Sequence, residues 1–112
     1  QKNRSHVELK DDMPDSVKGN LSGKACFEDS NELISRTYEK YGEKLTIIGV
    51  GGVFTAEDAY EKIKRGATLV EMVTGLIFNG PQVVGEINHR LAEILKRDGY
   101  TNVSEAIGSA HR

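Results

Sequence analysis

The 112-residue chain has no tryptophan, two prolines and one cysteine. A lone cysteine, Cys26, excludes an internal disulfide framework and fits a reducing compartment. A basic excess is missing too. Fifteen Lys and Arg face 17 Asp and Glu, a formal charge of −2, so the footprint expected of a nucleic-acid binder is absent. The longest apolar run, Ile47 to Phe54, is broken by Gly49, Gly51 and Gly52. It falls far short of the roughly 20 residues of a membrane-spanning helix. The opening residues hold no apolar core of the kind a secretory signal carries. His6, His89 and His111 are scattered, and none has a cysteine or a second histidine at ligand spacing, so no metal site is expected. No Ser-His-Asp or Cys-His arrangement can be read from spacing. No catalytic residue is expected in this chain.

What the chain does have is the composition of a globular domain, 38% hydrophobic and 29% charged. Residues 1–18 are the exception. Val7, Leu9, Met13 and Val17 are too few to offset the entropy of ordering. A flexible or inserted loop is expected there, with a turn at Asp12-Met13-Pro14-Asp15.

Regular patterning follows. A helix is expected from a cap at Asp29 or Ser30, with Glu32 closing a capping box and Gly42 as a left-handed stop. Leu45 to Val50, β-branched and apolar on both faces, reads as a parallel strand covered on two sides. Thr55 and Asp58 form a second capping box. Its helix buries Ala56, Ala59, Ile63 and Ala67, pairs Glu61 with Arg65 and ends at Gly66. Thr68 to Val73 reads as a second strand. The longest helix is expected to open with Pro81 at its first position. It would bury Val84, Ile87, Leu91 and Ile94, pair Glu86 with Arg90 and Glu93 with Arg97, and end at Gly99. Ser104 to Ile107 suggests a last helical turn.

Strands alternating with helices imply right-handed crossovers and a parallel sheet. Two strands cannot close a sheet, and a complete (β/α)₈ barrel takes about 250 residues. The expected architecture is therefore α/β, the tail of a larger parallel fold for which a TIM barrel is the candidate, with 19–112 belonging to one domain. Ligands of such folds sit beyond the carboxyl ends of the strands. Those ends carry Val50-Gly51-Gly52 and Val73-Thr74-Gly75, and Gly19-Asn20-Leu21-Ser22-Gly23 precedes the first helix. Glycines let backbone amides approach an anion. Three such turns make a plausible phosphate cradle.

The run Ile47-Ile48-Gly49-Val50-Gly51-Gly52-Val53 resembles the carboxyl-terminal quarter of dihydroorotate dehydrogenase. So do Glu57-Asp58-Ala59-Tyr60-Glu61-Lys62-Ile63 and Gly66-Ala67-Thr68-Leu69-Val70. Gly19 to Lys24 looks like that family's glycine-serine-glycine loop. Asp98-Gly99-Tyr100, Glu105-Ala106-Ile107-Gly108 and His111-Arg112 look like the end of the quinone-dependent class 2 enzymes. Asn20, Val73 and Cys26 stand where the family commonly has glycine, tyrosine and leucine.

The resemblance implies an FMN-binding barrel that oxidises dihydroorotate to orotate in pyrimidine biosynthesis, with a quinone as electron acceptor. It implies cofactor contacts at Ser22 and Gly23 after strand six, at Val50, Gly51 and Gly52 after strand seven, and at Met72, Val73 and Thr74 after strand eight. It also implies that the catalytic serine and the quinone tunnel lie on residues outside this chain, so the segment alone would be inactive. Attachment to a membrane surface would come through an amino-terminal part, at the mitochondrial inner membrane or the bacterial cytoplasmic membrane. Two other readings of the residues remain open. One is a different phosphate-binding barrel, a lyase or isomerase. The other is a small α/β interaction module.

Overall fold

A computed structural model describes residues 3–112. Apart from a 3-10 turn at Arg4–His6, no regular element precedes Gly23 among the described residues. The turn near Pro14 lies further along than expected. Val17 N donates to Pro14 O at 3.0 Å, so Pro14 is the first residue of the turn and supplies its accepting carbonyl.

The first long helix, α1, spans Phe27–Tyr41 and continues directly from a 3-10 turn at Gly23–Cys26. Asp29 and Ser30 therefore lie inside it, and no capping box forms there. The preceding turn already feeds α1, leaving no free start for a side chain to cap. Gly42 corrects the second expectation, because its φ of −57° is right-handed. Space, not handedness, selects it: a Cβ there would meet Tyr38 O at 2.7 Å.

Strand β1 is Ile48–Val50 and strand β2 is Leu69–Glu71, paired parallel with Gly49 opposite Val70. Both are shorter than the apolar runs that contain them. Among the described residues only one face of β1 is covered: Gly49 is buried while Ile48 and Val50 are exposed. Helix α2, Ala56–Lys64, makes the crossover between them. Its start is the expected box, with Thr55 Oγ1 accepting from Asp58 N and Asp58 accepting from Thr55 N. All four expected apolar positions are buried, and Arg65 bonds Glu61 at 2.8 Å.

A short helix α3, Thr74–Asn79, follows β2 where a plain turn was expected. Helix α4, Val83–Arg97, starts later than expected, leaving Pro81 in the preceding turn. Its inward face is the expected one at three of four positions, Ile87, Leu91 and Ile94, with Val83 and Leu95 added and Val84 left out. Val83, Ile94 and Leu95 are buried, Ile87 and Leu91 are half-buried, and Val84 is exposed. The expected ion pairs also differ. Arg90 bonds Glu93 and reaches across to Glu57 on α2, while Arg97 bonds Asp98. Helix α5, Val103–Ala106, is capped by Asn102 with Glu105 completing a box.

The main core joins Ala56, Tyr60 and Ile63 of α2 to Ile94 and Leu95 of α4 and Ala106 of α5. Each fully buried Ile or Leu there is worth about 1.5–3 kcal/mol of transfer free energy. A smaller cluster, Ile34, Ile47 and Ala67, fastens α1 to the entrances of the strands. Helices thus lie behind the two strands. The carboxyl ends of the strands open toward the turns Gly51-Gly52 and Val73-Thr74.

Candidate functional site

Three segments distant in sequence meet at the carboxyl end of the sheet. Ser22 Oγ and Thr74 Oγ1 share a hydrogen bond of 2.8 Å across 52 positions. A cavity of about 260 Å³ lies at this junction. All eight expected residues line it: Ser22 and Gly23 before α1, Val50, Gly51 and Gly52 after β1, and Met72, Val73 and Thr74 after β2. Cys26, Ser30, Val53 and Gly75 complete the wall. A second cavity of similar volume lies between β2, α2 and α4, but its lining, including Ile63, Leu69, Val70, Ile87 and Leu91, is chiefly aliphatic.

Two glycines show how closely the three segments approach one another. Gly52 has a φ of +71°, a left-handed conformation, and a Cβ there would lie 2.7 Å from Phe27 Cβ. Its demand for glycine is therefore met by packing on α1 as well as by backbone conformation. A Cβ at Gly75 would collide with the Val53 carbonyl, so glycine lets α3 settle against the turn after β1.

The site is rich in donors. Among the described residues, the amides of Gly52 and Val73 make no hydrogen bond to a backbone carbonyl outside the regular elements. Those of Thr74 and Gly75 belong to the first turn of α3, whose amides have no partner within the helix. The hydroxyls of Ser22 and Thr74 flank them. No acidic side chain lines the cavity. Unpaired amides, two hydroxyls and no carboxylate fit a phosphate group.

Two polar clusters that the sequence reading missed brace this arrangement. In the first, Lys24 Nζ donates to both carboxylate oxygens of Asp58 at 2.7 and 2.8 Å. Asp58 Oδ2 also accepts from the amides of Phe54 and Thr55 at 3.0 and 3.1 Å. Burial pushes the Asp58 carboxyl up, but Lys24 and the two amides outweigh it and hold it below the ordinary 3.8. One carboxylate thus ties the turn after β1 to the start of α1. In the second, Lys62 of α2 is fully buried, as is Asn31 of α1. Lys62 Nζ donates to Ser30 Oγ and, at 2.8 Å, to Asn31 Oδ1. Burial pulls this ammonium down from 10.5 to about 8, against weaker support from Asp58 and Glu28. The available signal for Lys62 was its place beside Ile63 and three positions after Ala59, on the inward arc of α2. From the sequence, Lys62 carries no role beyond its place in the family resemblance.

A family model described as dihydroorotate dehydrogenase matches residues 1–95. The dihydroorotate dehydrogenase (quinone) of Myxococcus xanthus is 50% identical over 94 residues, covering 84% of this chain and 26% of that protein. The mitochondrial dihydroorotate dehydrogenase (quinone) of Arabidopsis thaliana is 44% identical, covering 84% of this chain and 20% of that protein. The chain therefore spans about a quarter of the length of the curated relatives it matches. Among solved structures, the ligand-free enzyme of Eimeria tenella superposes with a TM-score of 0.80 at 36% identity, covering 88% of this chain and 30% of that one. By its family match and by these identities, the chain belongs to the dihydroorotate dehydrogenase family, within the quinone-dependent class 2.

Proposed function

We propose that this segment is the phosphate-binding end of the FMN site in an enzyme that oxidises dihydroorotate to orotate with a quinone as acceptor. In this reading β1 and β2 are strands seven and eight of a (β/α)₈ barrel, and the catalytic serine and quinone tunnel lie on parts of the enzyme outside these residues. The enzyme works at a membrane surface, the mitochondrial inner membrane in a eukaryote or the cytoplasmic membrane in a bacterium. The observation that carries the reading is the convergence of Ser22, Gly52 and Thr74, from three separate segments, on one donor-rich cavity.

When bound, FMN would supply the redox chemistry, the capacity to take hydride from dihydroorotate and deliver electrons to the quinone. The work of this chain is positional. The amides of Gly52, Val73 and Thr74, with the Thr74 hydroxyl, hold the phosphate. Ser22 and Gly23 close over the nucleotide from the side of α1, and Val50 and Met72 flank it at the strand ends. Anchoring the phosphate at the far end of the ribityl chain limits where the attached ring can stand, which is how a phosphate anchor contributes to orientation at the reacting carbon. The segment alone supplies no group to remove the substrate's proton, so it is inactive in isolation.

The test is Thr74→Val in the full-length enzyme, which keeps the side chain's shape and removes its hydroxyl. Losing a hydrogen bond to a charged phosphate weakens FMN binding by about tenfold or more. The variant should therefore lose visible flavin absorbance on dialysis while its melt stays cooperative. Full retention of the yellow cofactor with unchanged affinity would overturn the assignment.

A further inference from the structure

Lys62 is the least expected charge in the molecule. Its side chain has no exposed surface. Its stem runs behind β1, where a Cβ on Gly49 would come within 3.3 Å of Lys62 Cδ. Its ammonium has Ser30 Oγ and Asn31 Oδ1 as acceptors and lies 5.0 Å from the centre of the Phe27 ring. Among the described residues no carboxylate comes within ion-pair distance of it.

The cluster also has one donor too many. Asn31 Nδ2 is buried and has no hydrogen-bond partner among the described residues. The group as a whole thus carries a spare N–H and a positive charge that has no contact anion and only longer-range support from Asp58 and Glu28, an arrangement that is costly unless a further anion compensates it. The ammonium is depressed to about 8 by burial, as expected for a cation lacking a contact anion.

The cluster sits directly beneath the phosphate cradle. Ser30, the acceptor for Lys62, itself lines the cavity. The turn at Gly51 rests on it, since a Cβ on Gly51 would lie 3.2 Å from Ser30 Oγ. Phe27, whose ring faces Lys62, is the residue on which Gly52 packs. Ser30 and Phe27 therefore link the buried cation to both glycines of the turn.

We propose that Lys62 is the buried counter-charge of the flavin phosphate. It acts through Ser30 and the Gly51-Gly52 turn without touching the cofactor. Lys62 is thus a positioning residue, and its effect is specific to the phosphate end of the flavin. The inference rests on the FMN reading given above.

The experiment compares FMN with riboflavin, the same ring system without its phosphate, in the full-length apoenzyme. Affinities are read from quenching of flavin fluorescence. Wild type should prefer FMN strongly. Lys62→Met, which keeps the length of the stem, should lose FMN affinity by at least about tenfold while riboflavin affinity stays within about twofold of wild type. Lys62→Arg should restore part of the preference. Ser30→Ala removes the link to the cavity without burying or unburying a charge, and it should reduce the preference in the same direction by a smaller factor. It serves as the deciding variant if Lys62→Met does not fold.

A purely structural lysine would weaken both flavins equally, or change neither, and that outcome overturns the inference. An unchanged FMN preference in folded Lys62→Met, or in Ser30→Ala where Lys62→Met does not fold, overturns it as well. If wild type itself fails to distinguish FMN from riboflavin, the phosphate cradle is wrong, and this proposal falls with it. The two failures are therefore distinguishable.

Discussion

The two sides of the sheet differ in how complete they are. Behind it, α2, α4 and α5 enclose a packed core in which Ala56, Tyr60, Ile63, Ile94 and Ala106 are all nearly solvent-free. In front, Ile48, Val50 and Leu69 are exposed, and beyond the strand ends Ile77 and Phe78 on α3 are each 76% exposed. Aliphatic side chains are thus largely buried on one side, apart from Val84 and the cavity beside it, and left uncovered on the other. Periodicity marks a residue as apolar and inward-facing; what it packs against depends on the rest of the fold. In the proposed barrel, the front of the strands is the side that meets the remaining strands.

The contrast can be broken most sharply from the rear. Ile94 is 2% exposed at the meeting of α2 and α4. Replacing it with alanine should cost about 2–5 kcal/mol, read as a lowered thermal midpoint of the full-length enzyme. An unchanged midpoint would mean that the rear core is not the closed half.

A smaller effect is expected at the junction between the halves. Asp58 caps α2 and anchors Lys24, with its carboxyl held below its ordinary 3.8. A carboxyl depressed in the folded state contributes stability that is complete above its unfolded value and is lost as pH falls through the folded one. The wild-type enzyme should therefore lose this contribution below about pH 4. Asp58→Asn should lower stability at neutral pH by about 0.5–2 kcal/mol, the scale of a lost cap, and should flatten the acid limb. Parallel acid limbs in the two proteins would show that Asp58 carries no such load.

Much of this architecture is legible in the sequence, for identifiable reasons. The Thr55–Asp58 box and the Ala56, Ala59, Ile63 and Ala67 stripe depend on local spacing alone, and both are present. The parallel pairing follows from a helix standing between two apolar runs. Local patterning also singled out the three turns that meet at the cavity, because each lies at a strand end or before a helix, whereas the full set of eight residues, Met72 included, came from the family resemblance.

The misreadings involve tertiary contacts. The capping box expected at the start of α1 fails because a 3-10 turn already feeds that helix. On α4 the expected Ile87, Leu91 and Ile94 do face the core, but Val84 is exposed while Val83 and Leu95 are buried, a difference set by where neighbouring elements end and not by the spacing of apolar residues. Helix α3 was missed because Thr74-Gly75 reads as a turn, and the close approach of Gly75 to Val53 that seats the helix has no local signature. Lys62 was missed because its partners lie about thirty positions away on α1, beyond the reach of any periodicity argument.

The central claim is that one phosphate is held jointly by the turn after β1 and the turn after β2. A crystal structure of the full-length enzyme with FMN tests it directly. The account predicts phosphate oxygens within about 3.2 Å of the amides of Gly52, Val73 and Thr74, with the Ser22 to Thr74 contact retained beside them. A phosphate bound elsewhere, with this cavity filled only by solvent, would contradict it.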